Sequence, residues 1–293
     1  MVERVIVAVD GGPASRAALD WALARATAVP LQLELTTVVE LGWAPVDAAG
    51  DDFQPAYERA LAEATAYAGH RYPGVKTTSI VRRGVPVDEL VRASIDADLL
   101  VIGTNKTGVL VGAVHGTLPL RLAAHAACAV AVVPAGWTPG GTSVVVGVED
   151  DITVDAPLAA GAAEADAQDL PVVLVHAWSI PATLGVDFGA SVPFDALIEA
   201  HSEILTRAVD TVRSSHPALT VTGQLMQGAA APALVAAAGS AAVLVVGTHG
   251  RGAVAGLILG SVSHDVLLNM PCPVIVVPRT LKPLGTVRTG RSR

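Results

Sequence analysis

The sequence predicts an α/β protein made of two doubly wound domains, each a five-stranded parallel sheet covered by helices on both faces. Three observations predict it. Short Val-rich runs alternate with helix-period stretches. The whole pattern is stated twice along the chain. The composition is apolar without being aromatic, 52% hydrophobic against 3% aromatic, which suits thin layers of strand and helix packed by Ala, Val and Leu.

The elements follow in order. Val5 to Val9 is a first strand; Leu19, Ala22, Leu23 and Ala26 then recur at helical spacing. Further strands are expected at Leu31 to Val39, Thr77 to Val81, Leu99 to Ile102 and Val130 to Val133. Runs that are apolar on every residue, not alternate ones, belong to strands buried on both faces, and right-handed crossovers place helices over both faces of such a sheet. The second half repeats this. VIVAVDGGPAS from Val5 matches VVVGVEDDITV from Val144, an offset of 139, and Leu158, Gly161, Ala162 and Ala165 repeat the helical stripe. LLVIGTNKTGV from Leu99 matches VLVVGTHGRGA from Val243, and CAVAVVP from Cys128 matches CPVIVVP from Cys272, both at an offset of 144.

This places a first domain over 1–136, a linker at 137–142 marked by Pro and Gly, a second domain over 143–280 and a basic, flexible tail over 281–293. A net charge of −8, from 19 basic and 27 acidic residues, argues against a broad nucleic-acid surface. No apolar run reaches membrane-spanning length, and no N-terminal signal pattern is visible, so a cytoplasmic protein is expected. Two cysteines, Cys128 and Cys272, give neither a disulfide framework nor a metal cluster and read as small buried residues.

The candidate site follows from where the glycines stand. GTHGRGAVAGLILGS runs from Gly247 to Ser261, directly after a strand-like run. In a doubly wound sheet, ligands bind beyond the carboxyl ends of the strands. Gly250 and Gly252 let a loop turn and bring amides near a ligand. Gly260-Ser261 opens the helix SVSHDVLLNM, whose free amides and partial positive charge suit an anion. Ser261 either caps that helix or bonds a phosphate oxygen. Glycines after a parallel strand also simply turn chains, and neither a Walker loop nor G-x-G-x-x-G occurs. The residues alone leave both readings open.

The spacing G-x2-G-x9-G-[ST], filled by Gly247, Gly250, Gly260 and Ser261, resembles the ATP-binding signature of the universal stress protein family. The first strand and helix, VIVAVDGGPAS, and the last strand, CPVIVVP, are similar to the family's as well. The resemblance covers nearly the whole chain, as two repeats. It implies an adenine nucleotide alpha-hydrolase-like fold in each half, the halves related by a pseudo-two-fold as an intramolecular pseudo-dimer through their last strands, with a homodimer left open. It implies ATP, with or without Mg2+, held between the acid after the first strand and the glycine loop. The nucleotide-contacting positions it implies are Ala8, Asp10, Val38, Gly103, Lys106, Gly108, Gly116 and Thr117 in the first half. In the second they are Gly147, Glu149, Ala177, Gly247, His249, Gly250, Arg251, Gly252, Gly260, Ser261 and Val262.

Each half departs from that pattern at one wall. Lys106 replaces the second glycine of the first loop, which either damages the loop or rewires it by placing an ammonium on the phosphates. Glu149 stands where the first half has Asp10, keeping the charge but moving the carboxylate. Trp178 either stacks on a base or fills the core. No spacing fixes a base against a water, so catalysis beyond weak ATP hydrolysis is not expected. The leading expectation is an ATP-binding, nucleotide-dependent switch in stress adaptation, with an unidentified regulatory protein as partner. The alternatives are a partner-binding scaffold with degenerate pockets and a slow ATPase.

Overall fold

The computed structural model describes residues 2–40, 54–105, 117–149, 155–179, 194–248 and 259–279. The chain divides into two compact units. The first contains β1 (Glu3–Ala8), α1 (Pro13–Arg25), β2 (Leu31–Val39), α2 (Gln54–Arg71), β3 (Lys76–Arg83), α3 (Pro86–Ser94), β4 (Leu99–Thr104), α4 (Thr117–His125) and β5 (Ala129–Pro134). Its five strands are parallel in the order β3-β2-β1-β4-β5. The second contains β6 (Val144–Val148), α5 (Asp155–Gln168), β7 (Val172–Trp178), α6 (Phe194–Ser215), β8 (Val221–Gln227), α7 (Ala230–Ala237), β9 (Val243–Gly247), α8 (Ser261–Leu268) and β10 (Val274–Val277). Its order, β8-β7-β6-β9-β10, is the same topology, again all parallel. The expected fold class is what the chain adopts in each unit. The tail over 281–293 lies outside the described residues.

The central strands form because every side chain on them meets a helix. Val5, Ile6 and Val7 are buried in succession, as are Val144, Val145 and Val146, and consecutive burial is possible only when both faces are covered. Helix α1 starts at Pro13, whose missing N–H costs nothing there, after an extended Gly12. It turns Ala18, Leu19, Ala22 and Leu23 into the core. In α5, Leu158, Ala162 and Ala165 do the same. Cys128 and Cys272 are buried, and burial pushes both thiols up to about 12. They are packing residues.

Strand β3 is longer than the Thr77 to Val81 run expected from apolar pattern. Its charged ends, Lys76 and Arg82-Arg83, also pair with β2. As an edge strand it is exposed along much of its length, and charge there blocks pairing with other chains. Arg82 also has an inward task. Its Nη2 and the Nη2 of Arg4 on β1 donate to the buried carboxylate of Glu34 on β2, at 3.3 and 2.6 Å, and Thr36 Oγ1 donates to the same carboxylate at 3.1 Å. Burial alone would raise the Glu34 carboxyl; the hydrogen bonds from Arg4 and Arg82 and the Arg4 charge outweigh it and hold it below its usual 4.5. In the second unit the equivalent residue is Val173, paired to Val145 as Glu34 is to Ile6.

One glycine is fixed by a close approach. A Cβ on Gly103, in β4, would stand 2.0 Å from the backbone oxygen of Ala14, so the first turn of α1 lies directly on β4. Gly103 thus has a packing reason to be glycine, apart from any ligand.

Three expectations follow from these contacts. Gly103→Ala forces α1 off the sheet and is expected to cost about 3 kcal/mol, read as a lowered urea midpoint with an unchanged slope. A carboxyl lowered in the folded state contributes stability that is present above its unfolded pKa and lost as pH falls through the folded one. Urea melts are expected to show the first unit losing stability below pH 4.5. Glu34→Gln, which leaves two partly exposed guanidinium groups without their charge partner, is expected to cost about 2 kcal/mol at neutral pH and to flatten that acid step.

Candidate nucleotide site

In each unit the connections leave the sheet in opposite directions on either side of its first strand, between β1 and β4 and between β6 and β9. A crevice opens there beyond the carboxyl ends of the strands. The candidate residues stand at this rim.

In the first unit Asp10 follows β1 and is exposed. Its Oδ1 accepts the N–H of Gly12 at 2.8 Å, across Gly11, whose φ of +82° favours glycine. The carboxylate therefore sits at the N-terminus of α1, where the helix dipole favours negative charge. Ser15 Oγ donates to Gly12 O at 3.0 Å and steadies the same turn. Ala8 and Val38, at the ends of β1 and β2, are half-buried. Gly103 stands next to the last residue of β4, and Thr117 is the first residue of α4. Lys106, Gly108 and Gly116 lie outside the described residues.

The second unit is more fully described. Gly147, in β6, has its Cβ direction filled by Leu234 of α7 at 3.3 Å. Glu149 follows that strand, half-buried and engaged. Ala177 is half-buried near the end of β7. Across the rim, two hydrogen bonds fasten the start of α8 to the end of β9: Gly260 N–H donates to Thr248 O at 2.6 Å, and Ser263 Oγ donates to Gly247 O. Thr248 N–H in turn donates to Val277 O at 3.0 Å, so the anchor is tied to β10. His249, Gly250, Arg251 and Gly252 lie outside the described residues.

Gly260, with φ −66° and ψ 154°, is the N-cap, and no side chain caps the helix. Ser261 is the first helical residue and is exposed, so the capping alternative is not realised. Its neighbour Val262 is half-buried. The first intrahelical bond is His264 N–H to Gly260 O, 3.0 Å. The amides of Ser261, Val262 and Ser263 therefore have no partner within the helix. An anion placed at that turn meets three donors and the positive end of the dipole. In the first unit the residue equivalent to Ser263 is Pro119, the third of α4, which has no N–H and no hydroxyl. The first unit thus lacks both one donor and the Ser263 anchor.

Ser263, His176 and His201 escape a reading by spacing, whereas Trp178 is expected either on a base or in the core. Ser263 is buried and lies past the glycine signature. Trp178 is buried, packed on the ring of His201 at 5.1 Å and against Phe194 at 5.6 Å; it fills the core beneath α6. His176 and His201 meet across 25 residues of sequence, Nε2 to Nδ1 at 2.9 Å.

No described helix is long and apolar enough to cross a membrane. The chain is 28% identical over 303 residues to universal stress protein Rv1996 of Mycobacterium tuberculosis, covering 93% of this chain and 94% of that one. Its fold matches a universal stress protein from Archaeoglobus fulgidus with a TM-score of 0.71 at 17% identity, over 94% of this chain and 98% of that one. A shorter Archaeoglobus fulgidus universal stress protein, solved in complex with dAMP, matches 46% of this chain and 97% of its own at 26% identity, with a TM-score of 0.35. The universal stress protein family model matches twice, over residues 1–134 and 142–278. The chain therefore belongs to the universal stress protein family, as a tandem of two such domains.

Proposed function

We propose that the protein is an ATP-binding regulatory switch of stress adaptation, and that its second unit is the stronger site. The observation that carries this is the anchoring of α8: Gly260 N–H on Thr248 O and Ser263 Oγ on Gly247 O hold three free amides at the crevice beyond β9. A polyphosphate supplies the negative charge that such a turn favours. Glu149 follows β6 across the crevice, as Asp10 follows β1, and each offers a carboxylate to sugar hydroxyls. Occupancy shifts a conformational balance only if the two conformations bind ATP unequally. In this reading the protein works in the cytoplasm, signals to a regulatory protein, and acts by binding; Mg2+ would enter with the nucleotide.

The test is calorimetric titration of the full chain with ATP. Val262→Pro is tolerated in a first helical turn but deletes one amide donor. It is expected to weaken the second site roughly tenfold, the worth of one hydrogen bond to a charged group. Asp10→Ala is expected to weaken the first site and leave the second unchanged. Absence of both binding heat and co-purified nucleotide would sink the proposal. Multiple turnovers of ATP that vanish in Asp10→Ala or Glu149→Ala would replace the switch with a slow ATPase.

A further inference from the structure

The second unit contains a histidine pair that neither its core nor an anion site requires. His176, buried on β7, places Nδ1 2.9 Å from the carbonyl oxygen of Val148, the last residue of β6. A carbonyl only accepts, so Nδ1 carries the proton and Nε2 is left as an acceptor. His201 Nδ1, 2.9 Å from that Nε2, must then be the donor. The relay ends on the Nε2 of His201, a half-buried ring packed on Trp178 with an interplanar angle of 24°.

The protonation states of this pair are unequal in cost. One added proton goes to His201 Nε2 and breaks no hydrogen bond, and the resulting cation lies over an indole face. A second would go to His176 Nε2, set two N–H groups against each other and part the rings.

Among the described residues, few other charged groups stand on the elements packed around the pair. Strands β6, β7 and β8 and helix α7 contribute no ionisable side chain except His176. Past β6 stands Glu149, half-buried and engaged. Helix α5 carries Asp166 and Glu164, the latter held by Gln168. Asp195, Glu199, Glu203 and Arg207 of α6 are exposed. Burial, and then His176, hold His201 below the usual 6.5.

We propose that His176 and His201 form a one-proton element joining the end of β6 to the Trp178 wall, so that the second unit's affinity for a nucleoside polyphosphate responds to mild acid. The first unit has Thr37 and Tyr57 at the equivalent positions and lacks the response. The proposal rests on the nucleotide-binding reading, and the two can fail separately.

The element itself is read without ligand, by NMR of the imidazole nitrogens of the full chain. His201 is expected to gain its proton below pH 6.5 while His176 keeps Nδ1–H and the Trp178 indole resonance shifts with it. The second readout is ATP affinity in Asp10→Ala protein at pH 8 and at pH 5.5. It is compared with the same protein carrying His201→Asn, which keeps a donor at the Nδ1 position but cannot titrate. The positive charge gained on His201 is expected to tighten ATP binding roughly threefold at low pH relative to His201→Asn. Independent titration of the two rings at ordinary values, or identical pH profiles with and without His201, would overturn the proposal. Loss of ATP binding at pH 8 would instead overturn the nucleotide reading, with the imidazole titration still standing.

Discussion

The hydrogen bond from Gly260 N–H to Thr248 O, 2.6 Å long, is the constraint on which the site depends. A helix N-terminus is useful to an anion only if it is held still, because donors free to move pay ordering entropy on each binding event. This bond fixes the first residue before α8 to the first residue after β9, and Ser263 Oγ on Gly247 O adds a second point of attachment one turn further. Thr248 is itself bonded to β10. Two points of attachment fix both position and axis of the first turn of α8, whose amides at Ser261 to Ser263 have no partner within the helix.

The duplicated units keep the frame and change its chemistry. Both have the same strand order and the same reversal point, and in both the helix after the first strand packs tightly on the sheet: Ala14 lies on Gly103 in the first unit, and Gly161 on Val146 in the second. At the rim, however, Asp10 is replaced by Glu149 and Pro119 by Ser263. Away from it, Glu34 between two arginines becomes Val173, and Thr37 becomes His176. Thr37 Oγ1 is buried without a partner, whereas His176 has partners at both ring nitrogens. The same backbone position is thus under-satisfied in one unit and fully satisfied in the other.

How much was legible in the sequence follows from what each feature depends on. The central strands were, because Val5 to Val7 and Val144 to Val146 are buried on both faces and show it as unbroken apolar runs. The edge strand β3 was read short, because an edge pairs on one side only and needs no apolar run; Lys76, Arg82 and Arg83 hid its true ends. The glycine signature located the start of α8 at Gly260-Ser261 but not what holds it there. Ser263 is one serine among several until the fold brings its hydroxyl onto a strand carbonyl. The His176–His201 pair is legible nowhere in one dimension, because it requires the rotation of α6 over β7, which is set by Ile204, Leu205 and Val209 packing on the sheet. For Gly103, the family resemblance implied a ligand contact, and the close approach of the α1 backbone adds a second, independent reason for glycine.

These differences give the two units different limits in acid. Both relevant groups are displaced in the same direction: Glu34 is held below 4.5 by its arginines, and His201 below 6.5 by burial and by His176. A displaced group costs stability only once pH falls below its unfolded value, where the unfolded chain binds the proton more readily than the folded one. The second unit therefore meets its cost first, and the Glu34 cluster stays ionised until pH falls much further. Between those two limits the first unit keeps its buried ion cluster, while the second already bears the cost of a displaced imidazole. A tandem of identical copies would meet both costs at the same pH; the replacement of Glu34 by Val173 and of Thr37 by His176 separates them. Mild acid then bears first on the unit whose α8 is anchored through both Gly260 and Ser263.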